Sequence, residues 1–254
     1  MGQFDSFQNI LPDPNNYISE AGSSGGSEAG ASLGPGFTSV KFSAKQPVMM
    51  SRTNSGRVVT RSIAAHSWNI NITYNSLTRE EFEPVFSFLM SRQGKLNPFF
   101  IELPQYISAQ DTTFATYMGN NPNSVSISEP ATPIPAGRTY FRVSFPSGNG
   151  TPRQGDIFRI SDGTNTAHTK AYMITRVETS TDYNSIFDTT TQPGGNQLRL
   201  HFSPPLVAAI PNSTTKLDFT KPQIRVIQKG DVQEYSLGVD GLYKFSLQVE
   251  EAAP

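Results

Sequence analysis

The sequence contains no cysteine, which excludes disulfides, thiolate nucleophiles and every zinc or iron–sulfur site built on sulfur. It is also poor in charge: Asp, Glu, Lys and Arg make up 16% of its 254 residues, well below the roughly 25% usual for soluble domains. Twenty basic against 21 acidic residues leave a formal net charge of -1. No basic excess is available to neutralise a run of phosphates or an anionic bilayer, so neither general nucleic-acid binding nor electrostatic membrane anchoring is expected. No apolar run approaches the roughly 20 residues of a membrane helix, and no basic stretch followed by an apolar one opens the chain as a secretory signal would. The start, Met1 to Ser6, fits the loose N-myristoylation pattern, but no basic patch follows to supply a second anchor. The surface must therefore be rich in Ser, Thr, Asn and Gln or be covered by neighbouring subunits, a composition that suits an assembly component.

Motifs for chemistry are missing as well. There is no G-x-S-x-G elbow, P-loop, H-E-x-x-H or dinucleotide fingerprint. His66, His168 and His201 are isolated from one another and from other ligand types at helical spacing, so no metal site is expected and surface or hydrogen-bonded histidine is the better account. Asp13, Asp156 and Asp162 sit where turns use carboxylates to hold nearby amides; pairing Asp156 with Asp162 as a glycosidase acid and base rests on sequence proximity alone. No catalytic residue and no cofactor is expected. Tyr106, Tyr117, Tyr140, Tyr172 and Tyr183 offer rings that can stack on sugar faces, which makes a carbohydrate- or receptor-binding module the alternative, although core filling is the commoner use of aromatics in a β protein.

What is present falls into three parts. Residues 1–36 place Phe4, Phe7, Ile10, Leu11 and Tyr17 in a polar setting and then run through a Gly-, Ser-, Ala- and Glu-rich stretch from Ala21 to Gly36. Such a stretch buries too little apolar area to offset its ordering entropy, and it reads as a tether carrying an arm. From Phe37 the texture is β. Trp68, Ile70, Ile72 and Tyr74 share one face of a strand over 67–74, with Asn69, Asn71 and Thr73 on the other. Asn54-Ser55-Gly56 supplies a hairpin turn between strands near 48–52 and 57–63.

One helix is expected. Thr78 and Glu81 form a capping box, and Phe82, Val85, Phe86, Leu89 and Met90 recur along one helical face. Pro84 argues for a start near Glu83 with the proline in the first turn, and Gly94 is expected to cap the C-terminus. Beyond Pro104 come a polar, proline-punctuated stretch and then short strands near 139–145, 156–161, 171–178 and 197–202. They are the pattern of a small barrel or sandwich without a second helix. The tail alternates again, at 223–228, 233–237 and 242–249, with a turn at Asp240-Gly241. The organisation expected is a flexible arm (1–36), a discontinuous β-sandwich (37–104 and 220–254) and an inserted small β module (105–219).

The strand Trp68 to Tyr74, the capped helix and the run Ser91 to Ile101 together resemble tail-tip proteins of long-tailed bacteriophages, namely distal tail proteins and minor tail proteins of the lambda type. The shared pattern is a tryptophan strand, a short helix ending in Phe-x-x-x-Arg-x-Gly, and a strand with Pro-Phe and a carboxylate. Trp68, Phe88, Arg92, Gly94, Pro98, Phe99 and Glu102 occupy the matching places, and the closing segment Leu242 to Glu251 is similar to the last strand of such proteins.

The resemblance implies a mainly β fold, an antiparallel β-sandwich of tail-tube type with one short helix and an inserted barrel or sandwich. It implies a structural, non-enzymatic virion protein assembled in the host cytoplasm. Copies would form a homo-oligomeric, hexameric ring at the tail tip or baseplate hub, between the tail tube protein and the hub proteins. DNA would pass through the lumen without specific binding. Phe4, Phe7, Ile10 and Tyr17 are the expected arm anchors on a neighbouring subunit.

Overall fold

The computed structural model describes residues 9–11, 37–62, 66–122, 124–129, 133–144, 148–161, 168–183, 191–211, 215–230 and 233–252. In chain order the first elements are β1 (Phe37–Lys45), β2 (Val48–Arg52), β3 (Val58–Ser62), β4 (Ser67–Tyr74), α1 (Arg79–Ser91) and β5 (Phe99–Glu102). Then follow α2 (Thr112–Asn120), β6 (Val125–Ile127), β7 (Tyr140–Ser144), β8 (Ile157–Ser161), β9 (Ala171–Glu178), β10 (Gln197–Ser203) and β11 (Lys216–Asp218). The last are β12 (Gln223–Gln228), β13 (Tyr235–Leu237) and β14 (Tyr243–Glu251). The fold is mainly β with antiparallel pairing. Two compact units divide the chain: one takes residues up to Ile101 and from Arg225 onward, the other Glu102 to Ile224.

In the first unit the strand order is β1-β4-β14-β12-β5, with β13 on β14. The alternation of β4 places Trp68, Ile70, Ile72 and Tyr74 in the core and exposes Asn71 and Thr73. One face of an antiparallel sheet is thus dry and the other polar. The amphipathic helix α1 brings Phe82, Val85, Phe88 and Leu89 to that core, where the Phe82 ring stacks on Tyr243 at 4.6 Å and meets Phe245 at 5.8 Å.

The capping box forms: Glu81 Oε2 accepts the Thr78 backbone N–H at 2.8 Å and its hydroxyl at 2.9 Å. Two details of the helix differ from expectation. The helix starts at Arg79 and Pro84 lies inside it. The proline has no N–H for the Glu80 carbonyl, and the helix, with its capped first turn, continues without that bond. The C-cap is Arg92, and both Gln93 (φ 56°) and Gly94 (φ 64°) are left-handed beyond it. Gly94 therefore serves the turn after the cap. The buried side chain of Gln228 donates to the Leu89 carbonyl at 2.9 Å, a second bond on a buried oxygen that also accepts the Arg92 N–H at 3.1 Å.

The second unit is a closed barrel of order β10-β7-β6-β11-β8-β9. Inward residues include Phe141, Val143, Phe158, Ile160, Tyr172, Ile174, Leu198, Leu200 and Phe202. A second helix, α2, contributes Phe114 and Met118 to this core, the Phe114 ring lying edge-on to Phe219 at 5.2 Å. The expectation of no second helix here is wrong. Asp111 caps the segment by accepting the Phe114 N–H at 2.9 Å, and Phe114 and Met118, one turn apart, supply the buried stripe. A bulge gives β9 its phase: Phe202 pairs with Ile174 but His201 with Arg176, leaving Thr175 over. Ile174 and Val177 thus both belong to the barrel core, while Glu178 turns outward to meet Arg199.

Candidate assembly surfaces

The segment 37–62 builds an unusual surface. β2 and β3 pair in register from Val48↔Ser62 to Arg52↔Val58, closed by Gly56 at φ 81°, whose N–H donates to the Thr53 carbonyl at 2.9 Å. Val48, Met50 and Val58 fall on one face of this hairpin, Met49 and Val59 on the other. All of them are exposed, Met49 at 62% and Met50 at 73%. A two-stranded hairpin with apolar side chains on both faces is marginal in water by itself, and an exposed apolar surface of this kind is a candidate interaction site.

The residues of the family pattern hold the first unit together. Trp68 is buried, stacks on Phe42 with ring centroids 4.5 Å apart, and its backbone N–H donates to the buried Glu251 carboxylate at 3.1 Å. Phe88 meets Phe99 edge-on at 5.5 Å, and the Arg92 guanidinium lies 5.0 Å from the Phe88 ring. Pro98 directly precedes β5, in which Phe99 and Ile101 are buried. In the second unit, the Glu102 carboxylate accepts from the Gln223 amide at 2.9 Å.

Of the expected arm anchors, Phe4, Phe7 and Tyr17 lie outside the described residues. Ile10 forms a parallel bridge with Phe100 of its own chain. Phe100 N–H donates to Asn9 O at 2.7 Å and Leu11 N–H to Phe100 O at 2.8 Å; Leu11 is buried, and Arg92 Nη1 reaches Asn9 Oδ1 at 2.6 Å. Residues 9–11 thus lengthen the sheet beside β5, and the docking site is formed by Phe100 and Arg92.

Asp156 is buried and accepts the N–H groups of Gln110 (3.0 Å) and Arg153 (2.7 Å), which makes it a turn anchor; Asp13 and Asp162 lie outside the described residues. His168 Nε2 shares a hydrogen bond with the Tyr172 hydroxyl at 2.8 Å, both buried. Among the described residues no group of three His, Cys, Asp or Glu is placed to hold a metal. Tyr172 belongs to the barrel core, and Tyr117 packs against that core from α2. Tyr140 and Tyr183 each lie 5.6 Å from the Arg199 guanidinium. Burial holds the Tyr106 phenol above its ordinary pKa. The tyrosines are thus used mainly in packing.

A charged layer with no local sequence signal lies outside the barrel. Arg199, only 1% exposed, bonds to Glu178 at 3.2 Å and to the Thr191 carbonyl at 2.7 Å, while His201 Nε2 lies 3.1 Å from Glu178. Glu129 accepts the Arg142 N–H at 2.6 Å. Each charge has an opposite charge or a hydrogen-bond partner beside it, as burial demands.

No curated protein matches the chain. Residues 28–106 match the family model described as distal tail protein pb9, A domain, N-terminal, a stretch that contains the hairpin, the tryptophan strand, α1 and the Pro98-Phe99 strand. That match supports a virion component with a structural rather than enzymatic role. Residues 28–106 are thus similar to the N-terminal part of a phage distal tail protein's A domain, which supports the resemblance carried by the tryptophan strand, the capped helix and the Pro98-Phe99 strand.

Proposed function

We propose that this protein forms a hexameric ring at the distal end of a phage tail, joining the tail tube to the baseplate or the host-binding tip. The observation that carries this reading is the β2–β3 hairpin, apolar on both faces and exposed along its length. A subunit that works alone has no use for such a surface; a subunit flanked by copies of itself buries it. A closed ring needs two different, mutually complementary patches on each copy. The near-neutral charge suits a lumen through which DNA slides without being held.

Gold-labelled antibody against the protein on intact phage tests the position. Label confined to the tail tip is expected. Label on the capsid, or spread along the tail tube, would contradict the reading.

A further inference from the structure

Among the described strands β5 has one neighbour, β12, and stands at the end of its sheet. Its outer edge would leave the Phe100 N–H and carbonyl to water, and residues 9–11 take that edge instead. Phe100 N–H donates to the Asn9 carbonyl at 2.7 Å and Leu11 N–H to the Phe100 carbonyl at 2.8 Å, with Ile10 bridging Phe100 in parallel. Two side chains make the contact selective. Asn9 sits in the left-handed region at φ 64°, which asparagine tolerates better than most residues, and its Oδ1 accepts from the Arg92 guanidinium at 2.6 Å. Leu11 is 4% exposed, so its side chain is seated rather than laid on the surface. None of these contacts depends on which copy of the chain supplies the strand.

The next described element, β1, begins at Phe37 and lies at the opposite end of the same sheet. From the docked segment the order runs β5, β12, β14, β4, β1, a width of roughly 24 Å at about 4.8 Å per strand spacing. Residues 12–36 have to cover that width when the strand stays with its own chain. The far side of β1 carries no strand among the described residues, so the sheet ends in two unlike edges. Unlike edges that meet make a heterologous contact, and such a contact sets β1 of one copy next to β5 of the following one instead of across the sheet from it.

We propose that the β5 edge is a strand-acceptor site that takes residues 9–11 of the neighbouring copy in the ring. The proposal rests on the ring reading and names one of its contacts. Exchange keeps the same two backbone hydrogen bonds, the same Arg92–Asn9 bond and the same buried leucine, so little is lost in passing the strand from one copy to the next. The backbone ladder supplies affinity, while Asn9 and Leu11 fix the register.

The lack of native cysteine makes the test direct. Full-length Ile10→Cys carrying a size tag and full-length Phe100→Cys are mixed at a concentration at which the wild type forms rings, and then oxidised. A tagged–untagged disulfide is the expected main product, and the double variant I10C/F100C should give a ladder of covalent multimers. Leu11→Asp in the full chain should weaken ring formation roughly tenfold or more, because it puts a carboxylate where an apolar side chain is buried. Wild-type rings combined with an I10C/F100C disulfide that closes only within one chain would overturn the exchange and leave the ring reading standing. Rings that form as readily with Leu11→Asp would do the same. A wild type that stays monomeric at every concentration would overturn both.

Discussion

Trp68 shows how much one side chain can settle. Its place in an alternating strand makes it core, and its stacking on Phe42 and its backbone bond to Glu251 tie β1, β4 and β14 together. Trp68→Ala should cost about 3–5 kcal/mol in denaturant melts, the usual range for a buried large aromatic; a loss below about 1 kcal/mol would mean that this packing contributes little. The pair Arg199 and Glu178 could not be read from sequence in the same way. It depends on the bulge at Thr175, which shifts the phase of β9 so that Glu178 faces Arg199, and nothing local marks that extra residue. Arg199→Leu alone should destabilise the barrel by about 1–3 kcal/mol, because it removes the buried cation from Glu178 Oε1 and leaves only His201 and Arg176 beside the other oxygen. The double variant R199L/E178L should recover most of that loss. If both single and double variants melted together, the ion pair would be shown to carry no coupling.

At the level of elements, legibility followed length and periodicity. β4, the hairpin turn at Asn54 to Gly56, the capping box of α1 and the turn at Asp240-Gly241 each announced themselves through side-chain pattern. β6 and β11 have three residues each, too few to alternate visibly, and they close the barrel only through pairing with distant strands. α2 was hidden by Thr, Gly and Asn, all poor helix formers; what holds it is Asp111 at its start and the burial of Phe114 and Met118. The hydrogen bond from Phe114 N–H, with Arg153 beyond it, holds the Asp111 carboxyl below the usual carboxylate range. A lowered folded value means that the cap contributes fully above the unfolded carboxylate pKa and is lost as pH falls through the folded one. Amide protection factors across 112–120, corrected for the intrinsic slowing of exchange in acid, should therefore fall as pH drops in the wild type, and D111N should remove that dependence. An unchanged acid profile in D111N would show that another group controls α2.

For the molecule as a whole, the chain passes between its two units within β5 and again within β12. Strand counts on either side suggested an inserted module, since neither flank alone has enough strands for a stable sheet. Replacing residues 105–219 with a short linker should leave the flanking segments folded together, read as a retained cooperative melt and retained tryptophan burial. A collapse of both would mean that the middle module is needed for the first unit to fold. The hairpin's turn residues are legible in its sequence, whereas the exposure of both its apolar faces depends on how the rest of the chain packs. The most direct measurement is electron microscopy of the purified full-length protein with its mass determined in solution. Closed rings of a single copy number with a central opening are the expected result; monomers alone across all concentrations, or open filaments, would contradict the account.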